Sequence, residues 1–244
     1  MPASSNFQEA IREAQSSALV GPNVVNKALP YVGGGMVLTA GGVLGGMATM
    51  ASIGYQAFNG LSMVAIIPWF ILFFVAQNAA KKANNGTALP LMATFSLLTG
   101  FTLTGLVVQA IYVAGAASIG IAALATGLTF VVASVFGRRM SDSVGQALTS
   151  VVSLGLFGLV IAMVGIFIAS FFIPGLYEIT NLAIAGFGTV LFVGMAFVDF
   201  YTMPRMYRDD QYLSGALGMY LTYINLFVFV LRLIIALQGG GRRD

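Results

Sequence analysis

Long apolar stretches, separated by short polar breaks, follow one another along this chain of 244 residues. Each stretch is about 20 residues or longer, which is the length that a helix needs to cross the hydrocarbon core of a bilayer. The pattern predicts spanning segments at 31–55, 61–80, 88–113, 116–136, 144–173, 182–203 and 212–237. We therefore predict an all-α fold: a polytopic membrane protein with seven transmembrane helices, whose first partner is the lipid bilayer.

The distribution of polar positions divides the chain into three parts. Residues 1–29 carry a thin line of apolar residues at helical spacing among polar ones, and this predicts an N-terminal amphipathic segment on the membrane surface. A frayed polar tail is the alternative. Residues 30–238 form the predicted seven-helix transmembrane bundle. Residues 239–244 begin with three glycines and predict a flexible C-terminal tail.

Basic residues fall almost entirely in the breaks on one side of this predicted bundle. If the N-terminus is cytoplasmic, eight of the 11 Lys and Arg residues lie on the cytoplasmic side, and only Arg242 and Arg243 lie in segments on the other. The eight are Arg12, Lys27, Lys81, Lys82, Arg138, Arg139, Arg205 and Arg208. Because short cytoplasmic loops are enriched in Lys and Arg, the pattern predicts a cytoplasmic N-terminus.

The composition narrows the chemistry further. Charged residues make up 8% of the chain, against about a quarter in soluble proteins, so we expect no soluble domain. The chain has no histidine and no cysteine, which removes Ser-His catalysis, thiol nucleophiles and the usual zinc ligands. We expect no enzyme, no catalytic residue, no metal site and no cofactor. The net charge of +3 is spread over several loops, and nucleic acid is not an expected partner.

Asp199 is the only acidic residue inside a long apolar segment. An ionisable side chain in a membrane is costly and marks a functional site by default. Asp199 precedes Pro204 by five residues, so we expect it near the cytoplasmic end of the sixth segment. The alternatives are a carboxylate solvated at the interface or one that caps a neighbouring helix. An aspartyl protease would need a second carboxylate within the bilayer.

Two polar residues of the last segment complete the candidates. Asn225 is central in that segment, and we expect its amide to find a partner on another helix. Arg232 lies late in the segment, toward the opposite end from Asp199, which argues against an ion pair between the two. We expect Arg232 to extend toward the interface or to stabilise the C-terminal end of its helix.

The first segment is dense in glycine. Gly41 pairs with Gly45, and Gly42 with Gly46, in two overlapping G-x-x-x-G patterns. Such patterns let another helix approach closely where lipid offers no hydrophobic driving force. We interpret these four glycines as a helix-packing face, with a flexible gate as the alternative.

The last two segments carry a resemblance to a known family. The sequence MYLTYINLF at 219–227, followed by Leu231-Arg232, resembles the signature of the Bax-inhibitor-motif family of seven-helix membrane proteins. Val198-Asp199-Phe200 matches the family's motif in its sixth helix. Tyr220 and Arg232 are structural positions of the motif. Agreement extends to 99–104 and 136–141.

The resemblance implies a function. In the family, a pair of aspartates joins the last two helices near the cytoplasmic side, shares protons and links pH to a calcium leak. Asp199 matches the first aspartate, but Thr222 stands at the second position and does not ionise. The resemblance therefore implies a cation (calcium) leak channel or its regulator with an incomplete pH-sensing pair. Asp199, Thr222 and Asn225 are the expected ion-pathway residues.

The resemblance also implies a second function, in which the chain is an interaction protein. Bacterial members of the family associate with a membrane AAA protease complex, so such a complex, or a larger membrane assembly, is an expected partner. The absence of cysteine, the compact length and the absence of a sorting signal favour a bacterial inner membrane, with an organelle membrane as the alternative.

Overall fold

Seven long helices make up the part of the protein that the computed structural model describes, residues 19–240 without the side chains of Tyr177 and Glu178. They are α1 (Val24–Ile53), α2 (Tyr55–Lys81), α3 (Asn85–Ala114), α4 (Ala117–Phe136), α5 (Asp142–Ala169), α6 (Leu176–Met206) and α7 (Tyr212–Gly240). All seven are long and apolar enough to cross a membrane. The all-α fold and the seven spans are thereby confirmed.

Most helices extend beyond the segments predicted from hydropathy, whereas α1 ends at Ile53 and α5 at Ala169, short of the predicted ends at 55 and 173. α1 begins at Val24, so residues 24–29 belong to the first span, and Gly239 is still part of α7. The uncharged stretch 56–60 and the stretch 176–181, both expected as loops, are the first turns of α2 and α6. Hydropathy reports the hydrocarbon thickness, whereas helices continue into the interface. The predicted surface helix and tail fall largely on residues 1–18 and 241–244, outside the described residues.

The turns at one end of the bundle are built on glycine. Gly54, Gly115 and Gly175 connect α1 to α2, α3 to α4 and α5 to α6, and their φ angles are 84°, 79° and 80°. A side chain is strained in this left-handed region, so glycine permits each helix to reverse direction within a few residues. We call this the glycine-turn end.

The basic connections lie together at the other end, which we call the basic end. At this end, the segment between α6 and α7 contacts the start of α1 through Asp209. The backbone N–H of Asn23 donates to Asp209 Oδ1 at 2.9 Å, and Lys27 Nζ lies 3.9 Å from Asp209 Oδ2. In the same segment, the Arg208 guanidinium hydrogen-bonds to Asp210 and lowers the pKa of that carboxyl group. This end is therefore tied across the bundle.

Further contacts join the remaining helices at the basic end. Gln211 Nε2 donates to the carbonyl of Lys81 at the end of α2, at 2.6 Å. Asn85 Nδ2, at the start of α3, donates to the carbonyl of Asp210 at 3.1 Å. Arg138 Nη1, after α4, donates to Asn26 Oδ1 at 2.9 Å. The predicted basic loops thus occupy one face of the bundle.

α7 is the central helix. It packs against α1, α2, α3, α4 and α6, whereas α5 lies outside and packs mainly on α6. Tyr220 stands at the centre of the main core: its side chain is fully buried, its ring meets Phe95 edge-on, and its hydroxyl lies 2.6 Å from Thr39 Oγ1. A buried hydroxyl needs such a partner. This placement fits the structural role expected of Tyr220.

The four glycines of the predicted packing face divide into two pairs. Gly42 and Gly46 face α3, where an added Cβ would meet the Leu97 carbonyl and the Thr104 hydroxyl. Gly45 faces outward with open space around it, and Gly41 meets only the tip of the Leu97 side chain at 3.8 Å. Of these four glycines, only Gly42 and Gly46 pack closely against another helix of the chain.

Candidate functional site

A cavity of about 340 Å³ lies between α5, α6 and α7 and contains all three candidate pathway residues. Asp199 reaches it from α6, and Thr222 and Asn225 reach it from α7. The rest of the lining is Leu156, Phe192, Met195, Thr202, Met203, Met206, Tyr207, Gly215, Gly218, Met219 and Leu221. Residues 26 positions apart in the sequence, on two neighbouring helices, thus share one cavity.

The Asp199 carboxyl group is buried and only partly satisfied. Its residue is 9% exposed, and Oδ2 has no hydrogen-bond partner among the described residues. The Thr222 side chain, itself 3% exposed, interacts with the carboxyl group from the facing helix. A buried polar atom without a partner costs free energy and needs an explanation such as a ligand or water. The oxygen without a partner therefore marks Asp199 as the candidate functional residue of the cavity.

Local packing fixes the part of α6 that carries Asp199. Gly137, in the short turn Gly137–Arg139 after α4, lies directly on this helix: an added Cβ would stand 2.8 Å from both the Phe197 carbonyl and Phe200 Cβ. The Phe200 ring meets Phe130 of α4 at 6.0 Å. Because Phe200 points into the core, the neighbouring Asp199 is turned toward the cavity.

The cavity lies toward the basic end. Asp199 precedes Met206, the last residue of α6, by seven residues, or about 10 Å at 1.5 Å per residue. Met206 and Tyr207 at the end of the helix belong to the same lining. This depth agrees with the expected position of Asp199 near one end of the sixth helix, and in residues 19–240 its side chain is not seen to cap a helix.

The sequence prediction for Asn225 was wrong in one respect. Its Nδ2 donates to the Leu221 carbonyl of its own helix at 2.9 Å, rather than to another helix. The bond leaves the side-chain oxygen as an acceptor, and Asn225 lines the cavity one turn deeper than Thr222.

A charged cluster, which the hydropathy of the sequence did not predict, lies beside the cavity. Arg205 Nη2 lies 3.1 Å from Asp142 Oδ1, and Tyr201 donates its hydroxyl to the same oxygen at 3.1 Å. The Arg205 guanidinium also covers the Tyr201 ring, 4.0 Å from its centroid. This cluster ties the first turn of α5 to the last turns of α6. The only sequence signal for this cluster was Asp142, an acidic residue just before the predicted segment 144–173.

An aromatic pair closes the interface between α6 and α7 further from the basic end. The Phe192 and Phe229 rings are stacked, with centroids 5.4 Å apart. Each lies seven residues, about 10 Å, beyond Asp199 and Thr222 on its own helix. Gly188 allows this approach, because an added Cβ there would meet the Phe229 ring. The cavity therefore ends against packed aromatic side chains.

The polar side chains of the cavity do not form a metal-binding site. Among residues 19–240, with Glu178 left aside, no group of three or more His, Cys, Asp or Glu side chains is arranged to hold an ion. Calcium usually takes six to eight oxygen ligands, and the cavity lining offers one carboxylate, one amide oxygen and the hydroxyls of Thr202, Tyr207 and Thr222. Such a set can attract a cation but holds it weakly.

Comparison with known proteins decides the family. A sequence model described as "Inhibitor of apoptosis-promoting Bax1" matches residues 21–239, which take in nearly all of the seven helices. The chain belongs to the Bax inhibitor motif family. The match includes Asp199, Thr222 and the central helix α7.

Relatives of this Bax-inhibitor-motif protein occur in several bacteria. It is 32% identical to a protein of Borreliella burgdorferi, over 76% of this chain and 78% of the relative. It is 29% identical to a membrane protein of Streptococcus pyogenes serotype M1, over 74% of each chain. A shorter match, 36% identical over 29% of this chain and 26% of the relative, is to Bax inhibitor 1 of Schizosaccharomyces pombe.

Proposed function

We propose that this Bax-inhibitor-motif protein passes cations, calcium among them, across its membrane as a leak channel or regulates such a leak. Asp199 is the pathway carboxylate. The observation that carries the proposal is the buried Asp199 carboxyl group, which lies in the lining of a cavity toward the basic end and has one oxygen without a partner among the described residues. By the positive-inside rule the basic end and the N-terminus are cytoplasmic in this proposal. The bacterial relatives support a bacterial inner membrane as its location.

Electrostatics gives the carboxylate its role. A negative charge in surroundings of low dielectric attracts a cation more strongly than it would in water. The Thr222 hydroxyl and the Asn225 carbonyl oxygen supply neutral ligands beside it. Because one carboxylate holds calcium weakly, the ion stays briefly and moves on, as conduction requires.

The stacked pair Phe192 and Phe229 is the barrier in this proposal. A cation that enters from the basic end reaches Asp199 and stops at the two rings, so passage requires α6 and α7 to move apart. Thr222 cannot share a proton with Asp199 as a second carboxylate would. We therefore propose that the opening of this protein lacks the coupled titration of an aspartate pair.

Asp199→Asn tests the proposal in liposomes loaded with a calcium indicator. We expect the wild-type protein to leak calcium above empty vesicles, and the variant to leak about tenfold more slowly, as for the loss of one charge-assisted contact. The matched control is Asp210→Asn, which removes an exposed carboxylate at the same end and leaves the leak unchanged. A wild-type rate equal to that of empty vesicles would overturn the proposal.

A second candidate function is association with a membrane protease complex or another membrane assembly. The observation that favours it is the outward face of α1, where Gly45 and Gly41 leave backbone accessible to another helix. The test is capture of the protein from native membranes, with Gly45→Leu as the variant. A stoichiometric partner that the variant loses supports this function, and recovery of the protein alone counts against it.

A further inference from the structure

A second polar pocket lies at the glycine-turn end, separate from the Asp199 cavity. It has a volume of about 270 Å³ and is formed by α2, α3, α6 and α7. Arg232 of α7 is the charged residue among the described lining residues, none of which is acidic. The other polar side chains of the lining are Tyr55, Asn59, Ser62, Thr102, Gln109 and Asn181.

Arg232 stands without a partner in this pocket. The residue is half-buried within a membrane-spanning helix, and its guanidinium forms no hydrogen bond or ion pair with any side chain that the structure describes. A charge inside a spanning segment is costly, and it normally pairs or lines a watery site. Arg232 also borders a neighbouring apolar pocket between α5 and α6, and again none of the described residues in its lining is acidic.

The amide side chains around Arg232 also lack partners among the described residues. Asn59, Gln109 and Asn181 form no side-chain hydrogen bond to another described residue. Three amide groups from three helices, each with an NH2 donor and a carbonyl acceptor, thus line the same pocket as one guanidinium. Because none of the described lining residues is a carboxylate, the guanidinium and the amide NH2 groups can all donate to an anion.

The depth of the pocket fits a group at the membrane interface. Asn59 lies four residues into α2, Asn181 lies five residues into α6, and Gln109 precedes the end of α3 by five residues. At 1.5 Å per residue, these side chains sit about 6 to 8 Å from the helix ends. Phosphate groups of lipids occupy this level, and basic pockets between transmembrane helices bind such head groups.

We propose that Arg232 and the amides around it form a binding site for a phosphate-bearing anion at the glycine-turn end. The planar guanidinium takes two phosphate oxygens side by side, and Asn59, Gln109 and Asn181 donate to the others. The anion comes either from a lipid head group or from free phosphate in solution. The site does not depend on the proposed cation leak, because it lies at the other end of the bundle.

Native mass spectrometry of the protein in nanodiscs tests this site. The discs contain equal amounts of phosphatidylglycerol and phosphatidylcholine, and the quantity measured is the amount of each lipid retained. We expect Arg232→Gln to retain phosphatidylglycerol about tenfold less than the wild type, as for the loss of a charge-assisted contact. The control is Arg208→Gln, at an exposed arginine of the basic end, which retains it like the wild type.

Two further variants and a competition with phosphate test the site in other ways. Arg232→Lys keeps part of the retention, and Asn181→Leu weakens it without removing the charge, which covers the case that Arg232→Gln fails to fold. Inorganic phosphate added to the discs displaces the lipid if the site takes free phosphate, and leaves it in place if the site requires the lipid. Equal retention of phosphatidylglycerol by wild type and Arg232→Gln overturns the proposal.

Discussion

Gly100→Ala will separate α1 from α3 and lower the free energy of unfolding by about 3 kcal/mol, at the upper end of the range for overpacked cores. An alanine Cβ at this position would meet the Thr39 carbonyl group and stand 2.9 Å from the Val43 backbone nitrogen. These backbone atoms of α1 cannot move away from the added Cβ by a change of rotamer, as a side chain can. The two helices must therefore move apart, and Thr39 loses its position against the Tyr220 hydroxyl.

Gly105→Ala is the matched control, on the same helix and with the same chemical change. Nothing lies within 4 Å of an added Cβ at Gly105. Alanine favours a helix over glycine by about 0.5–1 kcal/mol, so this variant should unfold at or above the wild-type temperature. Thermal unfolding in detergent compares the two. Equal midpoints for Gly100→Ala and Gly105→Ala would show that the α1–α3 contact is looser than the structure has it.

The number of spans followed from the sequence because each apolar segment is long and each polar break is sharp. The helix ends did not follow, since Tyr55, predicted as the last residue of the first segment, begins α2, and Asn85, outside the predicted third segment, begins α3. The Asn84 side chain accepts from the Thr87 backbone N–H and caps α3, which a hydropathy pattern does not report.

The glycine pattern showed that α1 packs closely but not which side of it packs. Two overlapping pairs, one residue apart, point about 100° away from each other on a helix. Only tertiary structure shows that Gly42 and Gly46 face α3 while Gly41 and Gly45 face outward. Periodicity within one helix contains no information about where its neighbours lie.

The candidate site was predictable in part. The cost of a carboxylate in a membrane singled out Asp199, and the family resemblance connected it with Thr222 on the next helix. The aromatic pair Phe192 and Phe229 was not predictable, because aromatic residues are common in every span. Asp142 and Arg205 are 63 residues apart in the sequence and meet only when α5 and α6 pack.

Charge introduced at Gly218 will block the proposed pathway. Gly218 lines the Asp199 cavity, and a Cβ at this position finds nothing within 4 Å, so Gly218→Cys should fold normally. The chain has no cysteine of its own, and a thiol reagent will therefore modify only the introduced side chain. A trimethylammonium group attached there stands beside Asp199 and repels an entering cation. Gly158→Cys, with equally open surroundings on α5, is the matched control.

The decisive measurement is calcium leak from liposomes containing Gly218→Cys, before and after reaction with a positively charged methanethiosulfonate applied at the basic end. The proposed pathway predicts that the leak falls to the level of empty vesicles, while the modified Gly158→Cys protein and the cysteine-free wild type leak as before. Complete modification of Gly218→Cys with an unchanged leak would contradict the assignment of the Asp199 cavity as the cation pathway.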